Sequence, residues 1–148
     1  MIQVHLIPAG ERIIDAMLAL ARCSKQQRII LAGSKSAELM FELHRRGHVR
    51  VATTSNCGLP AGQYDVALVD WRQRSLKALE TTLDWLVDFL SPGGIVVVWV
   101  DPQEPAGNRQ LRRTLEAHGL MVEAGTIREH GCAVSAQRRG STPFSKVA

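Results

Sequence analysis

The stretch that decides the fold is "RIILAGSKSAELMFELHRRG", residues 28–47 of the 148-residue chain. It begins with a continuous apolar run that stops at Gly33, which is typical of a central parallel strand covered by helices on both faces. Residues 36–46 then show the spacing of an amphipathic helix, for which Ser34 or Ser36 is expected to supply the N-cap. The stretch therefore predicts strand, turn and helix, the opening unit of a nucleotide-binding α/β domain.

The same alternation continues along the chain. Further helices are predicted at 11–23, 75–90 and 107–118, and further strands at 2–7, 49–54, 64–70 and 95–100. A "SPGG" turn (91–94) is expected to end the third helix, because proline disfavours helical geometry before it and glycine permits a sharp return. Two last strands, at about 121–128 and 132–138, have no helix between them and should form an antiparallel hairpin. We therefore predict one doubly wound, mostly parallel sheet over residues 1–139 and a loose tail at 140–148.

Composition narrows the function classes. The chain is 45% hydrophobic and 22% charged, as ordinary globular proteins are. Its longest apolar run, "GIVVVWV", is too short to span a bilayer, and no secretory signal pattern is seen, so we expect a cytoplasmic protein without a membrane partner. The net charge of +4 favours a small anionic ligand and leaves nucleic acid as a second candidate partner.

Cysteines and histidines do not predict a metal centre. The three cysteines (Cys23, Cys57 and Cys132) are far apart, without the CxxC spacing of a zinc site. His44 and His48 have i,i+4 spacing, but Gly47 is expected to end the helix between them. We therefore expect no metal site and no disulfide framework. The tryptophans at 85 and 99 fall on buried patterns and are predicted to belong to the core.

Four segments carry a family resemblance. "RIILAGSKSAELMFEL" (28–43) stands in the place of the glycine-rich first motif of class I S-adenosylmethionine-dependent methyltransferases, and "LPAGQYDVALVD" (59–70) is similar to their fourth-strand segment. "LSPGGIVVVWV" (90–100) resembles the turn before their fifth strand, and "LEAHGLMVE" (115–123) the helix end before their sixth. The resemblance implies a Rossmann-like, methyltransferase-type fold. One family strand is expected to be missing, because only about ten residues separate Thr54 from Tyr64.

The resemblance also implies a cofactor site. Gly33, Ser34, Thr53 and Asp70 match the positions that would bind S-adenosylmethionine. In the family, several glycines let the cofactor approach the backbone of the first turn, and an acid after the second strand binds the ribose hydroxyls. Here the turn has Gly33 alone and a threonine stands in place of the acid, so binding is expected to be weak or absent. A tight turn at Gly33 and a polar strand end at Thr53 explain the same residues without a ligand.

Substrate contacts are predicted at the ends of the later strands. Asp70 and Trp71 close the strand where the family keeps substrate-facing and sometimes catalytic groups. The family's catalytic tetrapeptide is absent, since the residues are "VDWR", so no catalytic residue is assigned. Asp70 is read either as a general base or as a loop or helix-capping residue. The substrate candidates are Trp71, Arg72 and Arg109. The two arginines belong to two groups of basic residues, which are expected to form one cationic rim or, alternatively, to be solvated helix faces. The first group is residues 72, 74 and 77, and the second is residues 109, 112 and 113.

Three functional hypotheses follow. The favoured one is a methyltransferase-like domain with degenerate cofactor motifs, kept as a binding or assembly module, for instance as a homodimer. The second is a small active methyltransferase that acts on an anionic or small-molecule substrate. The third is a Rossmann-type nucleotide-binding module, against which the "SPGG" turn and the terminal hairpin argue. A fold that is shared with enzymes does not confer their chemistry.

Overall fold

Helices and strands alternate along the chain as predicted. The computed structural model describes residues 9–53, 61–128 and 131–139. The predicted strand at 2–7, the tail at 140–148, Thr54 and Cys57 lie outside these residues. The helices are α1 (Ala9–Ala21), α2 (Ser36–Arg45), α3 (Leu76–Phe89) and α4 (Pro105–Ala117). The strands are β1 (Ile29–Gly33), β2 (Val51–Thr53), β3 (Tyr64–Asp70), β4 (Leu90–Val100), β5 (Leu120–Arg128) and β6 (Gly131–Arg138).

The six strands of the described residues form one sheet in the order β2-β1-β3-β4-β6-β5. Strands β1, β2, β3 and β4 run parallel to one another, while β6 runs antiparallel to both β4 and β5. The predicted parallel sheet and C-terminal hairpin are therefore confirmed, and so is the internal position of the segment "IVVVWV" in β4.

Helices cover the sheet on both faces. Helices α1 and α2 pack on one face over Ile29, Leu31 and Val97, whereas α3 and α4 pack on the other over Ile30 and Val98. Successive residues of one strand thus enter opposite cores, which explains why the central strands are apolar without alternation. None of the helices in the described ranges is long and apolar enough to cross a membrane.

The helix ends show which capping residues of the sequence bond to the helix backbone in the structure. Ser75 caps α3, and its hydroxyl accepts a hydrogen bond of 3.1 Å from the Ala78 amide. Pro105 stands in the first turn of α4, where its missing N–H is tolerated. The expected serine cap of α2 is wrong, because Lys35 occupies the N-cap and no side chain bonds there. The hydroxyls of the two serines bond elsewhere: that of Ser36 to the Gly33 carbonyl, and that of Ser34 to the loop after β3.

The "SPGG" segment lies within a strand and not between elements. Helix α3 ends at Phe89, Leu90 already pairs with Tyr64, and Ile95 pairs with Val66, so residues 91–94 bulge out opposite a single residue of β3. A bulge accommodates proline, which has no N–H for the ladder. The prediction of a simple turn is therefore wrong, since the same Pro-Gly-Gly chemistry also suits a bulge.

The two tryptophan predictions have different outcomes. Trp99 is fully buried, which confirms its place in the core. Trp85 is 37% exposed and makes an edge-to-face contact with Phe89, with ring centroids 6.1 Å apart, so its assignment to the core is wrong. The buried stripe of α3 consists of Leu79, Leu83 and Leu86, and Trp85 lies beside that stripe.

His118 joins the two helices on one face of the sheet. Its Nε2 lies 2.8 Å from Asp84 Oδ1 on α3, and its Nδ1 lies 2.8 Å from the Thr114 carbonyl oxygen on α4. Both partners are acceptors, so both ring nitrogens act as donors when the imidazole is protonated. Burial lowers the pKa of His118, but these two hydrogen bonds and the negative charges of Asp84 and Glu80 together raise the pKa overall.

Candidate functional site

The predicted cofactor residues meet at the carboxyl ends of the parallel strands. Gly33 ends β1 and lies opposite Asp70, the last residue of β3. Thr53 ends β2 and lies opposite Leu31, on the other side of β1. Ligands of open α/β sheets bind at this edge, where neighbouring strands connect to opposite faces. The structure thus brings Gly33, Ser34 and Asp70 together and places Thr53 on the adjacent strand.

Gly33 is required by the contact between β1 and β3. Its φ is +104°, and a Cβ added to it would lie 2.0 Å from the Asp70 carbonyl oxygen. The same oxygen accepts a hydrogen bond of 2.7 Å from the Ser34 amide. Only glycine allows this approach of two backbones. The glycine therefore has a structural explanation that involves no ligand.

The Ser34 side chain is bonded to the loop that follows β3. Its hydroxyl donates to the Arg72 carbonyl oxygen at 2.9 Å and accepts from Arg74 Nε at 2.7 Å. The Arg74 guanidinium also lies 5.1 Å from the ring centroid of Trp71. Trp71 is 2% exposed, and its indole N–H donates to the Ser75 carbonyl, so little of this side chain remains for a substrate.

Asp70 is held by an arginine two residues later. Arg72 Nε donates to both carboxylate oxygens, at 2.9 and 3.2 Å, and Nη2 donates to Oδ2. Asp70 is fully buried, and Arg72 also lies 3.7 Å from Glu38 on α2. The hydrogen bond with Asp70 raises the pKa of Arg72. Both oxygens of the Asp70 carboxylate are thus hydrogen-bonded to a side chain of the chain itself.

A third loop is joined to the other two. The Gln73 amide donates to Asp101 Oδ2 at 2.6 Å, just beyond the end of β4. Gln73 has a φ of +61°, an uncommon conformation that turns this amide towards β4. We call the bonded set Ser34, Asp70, Arg72, Gln73, Arg74 and Asp101 the loop network. It connects the carboxyl ends of β1, β3 and β4.

Comparison with solved structures gives consistent matches. The chain is similar to geranyl diphosphate C-methyltransferase from Streptomyces coelicolor A3(2), which was solved with S-adenosyl-L-homocysteine. The TM-score is 0.63 and the sequence identity is 11%, over 87% of this chain and 78% of that one. The chain is also similar to 1,6-didemethyltoxoflavin-N1-methyltransferase from Burkholderia thailandensis, which was solved with S-adenosylhomocysteine. Here the TM-score is 0.65 and the sequence identity is 16%, over 92% of this chain and 81% of that one. The chain has the class I S-adenosylmethionine-dependent methyltransferase fold. A third similar structure is that of the [4+2]-cyclase SpnF, with a TM-score of 0.63 and 14% sequence identity over 88% of this chain and 81% of that one.

Comparison at the level of sequence adds nothing to the fold assignment. No protein-family model matches the chain, and no curated protein matches it. Identities of 11–16% establish the methyltransferase fold and leave the activity open.

The cationic rim expected on this methyltransferase fold is divided in two. Arg72 and Arg74 belong to the loop network. Arg109 and Arg112 instead line a cavity of about 570 Å³ between α4 and the β5–β6 hairpin. Asn108, Thr126 and Cys132 also line this cavity, and the sequence analysis did not find them, because no local pattern reveals which strand residues a helix will face.

The cysteines and histidines of the described residues form no candidate metal centre, since no three potential ligands are grouped there. Cys23 and Cys132 are free thiols, and burial raises the pKa of each. His48 is 6% exposed, and burial lowers its pKa, with nearby Lys25 and Arg46 acting in the same direction.

Proposed function

We propose that this chain is a methyltransferase-fold binding domain that does not carry out S-adenosylmethionine-dependent methyl transfer. The observation that carries the proposal is the loop network at the carboxyl edge of the sheet. In this network Ser34 and Asp70, two of the residues that the resemblance assigned to the cofactor, are bonded to other residues of the chain itself.

The residues at this edge do not fit the cofactor. The space that a glycine-rich turn offers to a ligand is filled at Gly33 by the Asp70 carbonyl oxygen, which would lie 2.0 Å from an added Cβ. Ser34 uses both its amide and its hydroxyl within the protein. The Asp70 carboxylate is committed to Arg72. Thr53 cannot offer the bidentate carboxylate that holds two ribose hydroxyls.

The fold neighbours are compatible with loss of methyl transfer. Two of them are methyltransferases that were solved with the demethylated cofactor, whereas a third is a [4+2]-cyclase. One architecture thus carries different activities, and the site decides between them. In the present chain the site residues are bonded to one another, which favours a role in binding over methyl transfer.

Calorimetric titration of the full chain with S-adenosylmethionine and S-adenosylhomocysteine tests the proposal. The Burkholderia thailandensis methyltransferase, which was solved with S-adenosylhomocysteine, serves as the positive control in the same buffer. We expect saturable heat for the control and none for this chain at micromolar concentrations. Amide chemical shifts of residues 33–36 would be recorded in the same titration.

A micromolar dissociation constant for either compound, accompanied by shifts at residues 33–36, would overturn the proposal. The chain would then be read as a small active methyltransferase, and transfer of a labelled methyl group would become the next measurement. Heat without shifts at that turn would indicate binding elsewhere and would leave the loop network closed, as proposed.

A further inference from the structure

A second site lies on the opposite side of β4 from the loop network. The cavity of about 570 Å³ falls within the range of roughly 300–1,000 Å³ that is usual for small-molecule sites. One wall is a stripe of α4 at three- and four-residue spacing (Pro105, Asn108, Arg109 and Arg112), and the other is the β5–β6 hairpin. We call this cavity the hairpin groove. It shares no residue with the loop network, so the inference below goes beyond the proposed function and does not depend on it.

The polar lining of the hairpin groove is cationic. Arg109 and Arg112 make no ion pair within the described residues, and no acidic residue is found among the described residues that line the groove. Arginines three positions apart on a helix lie on the same side, where their guanidinium groups can donate to one phosphate or carboxylate. The helix therefore presents to the groove two positive charges that have no acidic partner among the described residues.

Neutral donors surround these charges. The Cys132 thiol lies 3.7 Å from Asn108 Oδ1 and donates to it, which leaves the Asn108 amide group as a donor. Burial raises the pKa of Cys132, so this thiol carries no negative charge at neutral pH that would repel an anion. Thr126 lines the groove only along the β5 edge, because it lies opposite Ala133 and its side chain shares the other face of the sheet.

The rest of the groove is apolar. Ile127 is 81% exposed on β5 and lies opposite Cys132, and Gly125 lies opposite Val134. Residues directly opposite in an antiparallel pair share a face, so Ile127 extends the surface that Cys132 begins. Gly125 leaves the space beside Val134 open. Ile127 thus adds an exposed apolar surface to the groove that Arg109 and Arg112 line.

The geometry points to a binding site for an organic anion, namely a phosphate or carboxylate group attached to an apolar body. Arg109, Arg112 and Asn108 bind the anionic group, and the body lies along Ile127 and Val134. The volume matches a single small molecule. A nucleic-acid backbone presents repeated phosphates and would call on exposed cations along the whole helix, whereas the apolar wall favours a compact ligand.

Three naphthalene probes separate the contributions. Naphthyl phosphate, naphthoate and neutral naphthol share the apolar body and differ in the anionic group. Each is titrated into the isotope-labelled full chain while amide shifts are followed. We expect saturable shifts at Asn108, Arg109 and Thr126 for at least one of the anions, and binding of naphthol that is weaker by about tenfold or more.

Arginine variants locate the anionic group. Arg109→Gln and Arg112→Gln should each weaken the binding anion by about tenfold, the loss of one charge-assisted contact. Arg113→Gln is the matched control, because Arg113 is an exposed arginine of the same helix that does not line the groove. Its affinity should stay within about twofold of the parent.

Several outcomes would overturn the inference: no saturable shifts with either anion, equal binding of naphthol, or an equal loss in Arg113→Gln. A single-stranded RNA oligomer that displaces the anion, and whose binding falls equally in all three arginine variants, would identify a nucleic-acid surface in its place. Binding of S-adenosylmethionine at residues 33–36 would overturn the proposed function alone, since the two sites are read by different amides.

Discussion

Removal of the Arg72 guanidinium tests whether the loop network is as tightly held as its geometry indicates. Arg72→Met keeps most of the side-chain volume but leaves the Asp70 carboxylate, which is fully buried, without its partner. Loss of one member of a buried ion pair typically costs about 3–5 kcal/mol. The Arg72 side chain is 19% exposed, so water relieves part of this cost and we expect about 3 kcal/mol.

Urea unfolding of Arg72→Met, Asp70→Asn and the double variant measures this cost and the coupling between the two residues. The loss in the double variant should fall short of the sum of the single losses by at least about 1 kcal/mol. Arg113→Met is the control, since it removes an exposed arginine without an ion pair among the described residues and should change stability by about 0.5 kcal/mol or less. Additive losses, or an Arg72→Met variant as stable as the control, would refute the reasoning.

Three further perturbations test the sheet and the helix contact. Val97→Asp buries an unpaired charge and should cost several kcal/mol in thermal unfolding, whereas Val49→Asp, at a position 72% exposed, should cost little; equal melting temperatures would argue against a central β4. In urea unfolding, Gly33→Ala should lower the free energy of unfolding more than Gly62→Ala. Both glycines have positive φ, but only at Gly33 would the added Cβ meet backbone atoms. Equal losses of stability would contradict the close approach of β1 and β3. His118 has a raised pKa in the folded protein, so its contribution to stability should be complete below pH of about 6.5 and decline as pH rises through the raised pKa. His118→Gln should abolish this decline in the pH profile of the free energy of unfolding. An unchanged profile would contradict the contact with α3.

The strand and helix order was predictable because each element satisfies its own local pattern. The residues 29–32, 66–69 and 96–100 are buried on both faces, and a continuous apolar run signals such strands from sequence alone. The hairpin was predictable from a missing helix. The limits of β4 were not, because "SPGG" has the composition of a turn whether it lies between elements or bulges within a strand. The sequence does not show which strand residue will lie opposite.

The candidate site was less predictable than the fold for the same reason. The sequence places Asp70 and Arg72 at a strand end but does not reveal that they pair, because their contact depends on the turn of the following loop at Gln73. The single cationic rim was predicted from topology. Topology shows that both basic groups follow strands at the same edge of the sheet, but it does not show how far apart along that edge they lie. Which cations find a carboxylate is settled by tertiary packing, and Arg72 finds one while Arg109 does not, within the described residues.

The energetics of the loop network set a cost for any ligand that enters at this edge of the sheet. A ligand that enters between the loops after β1, β3 and β4 must break the bonds of Ser34 to Arg72 and Arg74 and of Gln73 to Asp101. At about 1 kcal/mol net for each bond, opening would cost about 3 kcal/mol, which is more than a hundredfold in apparent affinity. None of these bonds contributes to the sheet ladders or the two cores. Substitutions that strengthen or weaken the network therefore change ligand access at the edge while the strand order is kept, and a weakened network in Ser34→Gly should admit ligands that the parent chain excludes.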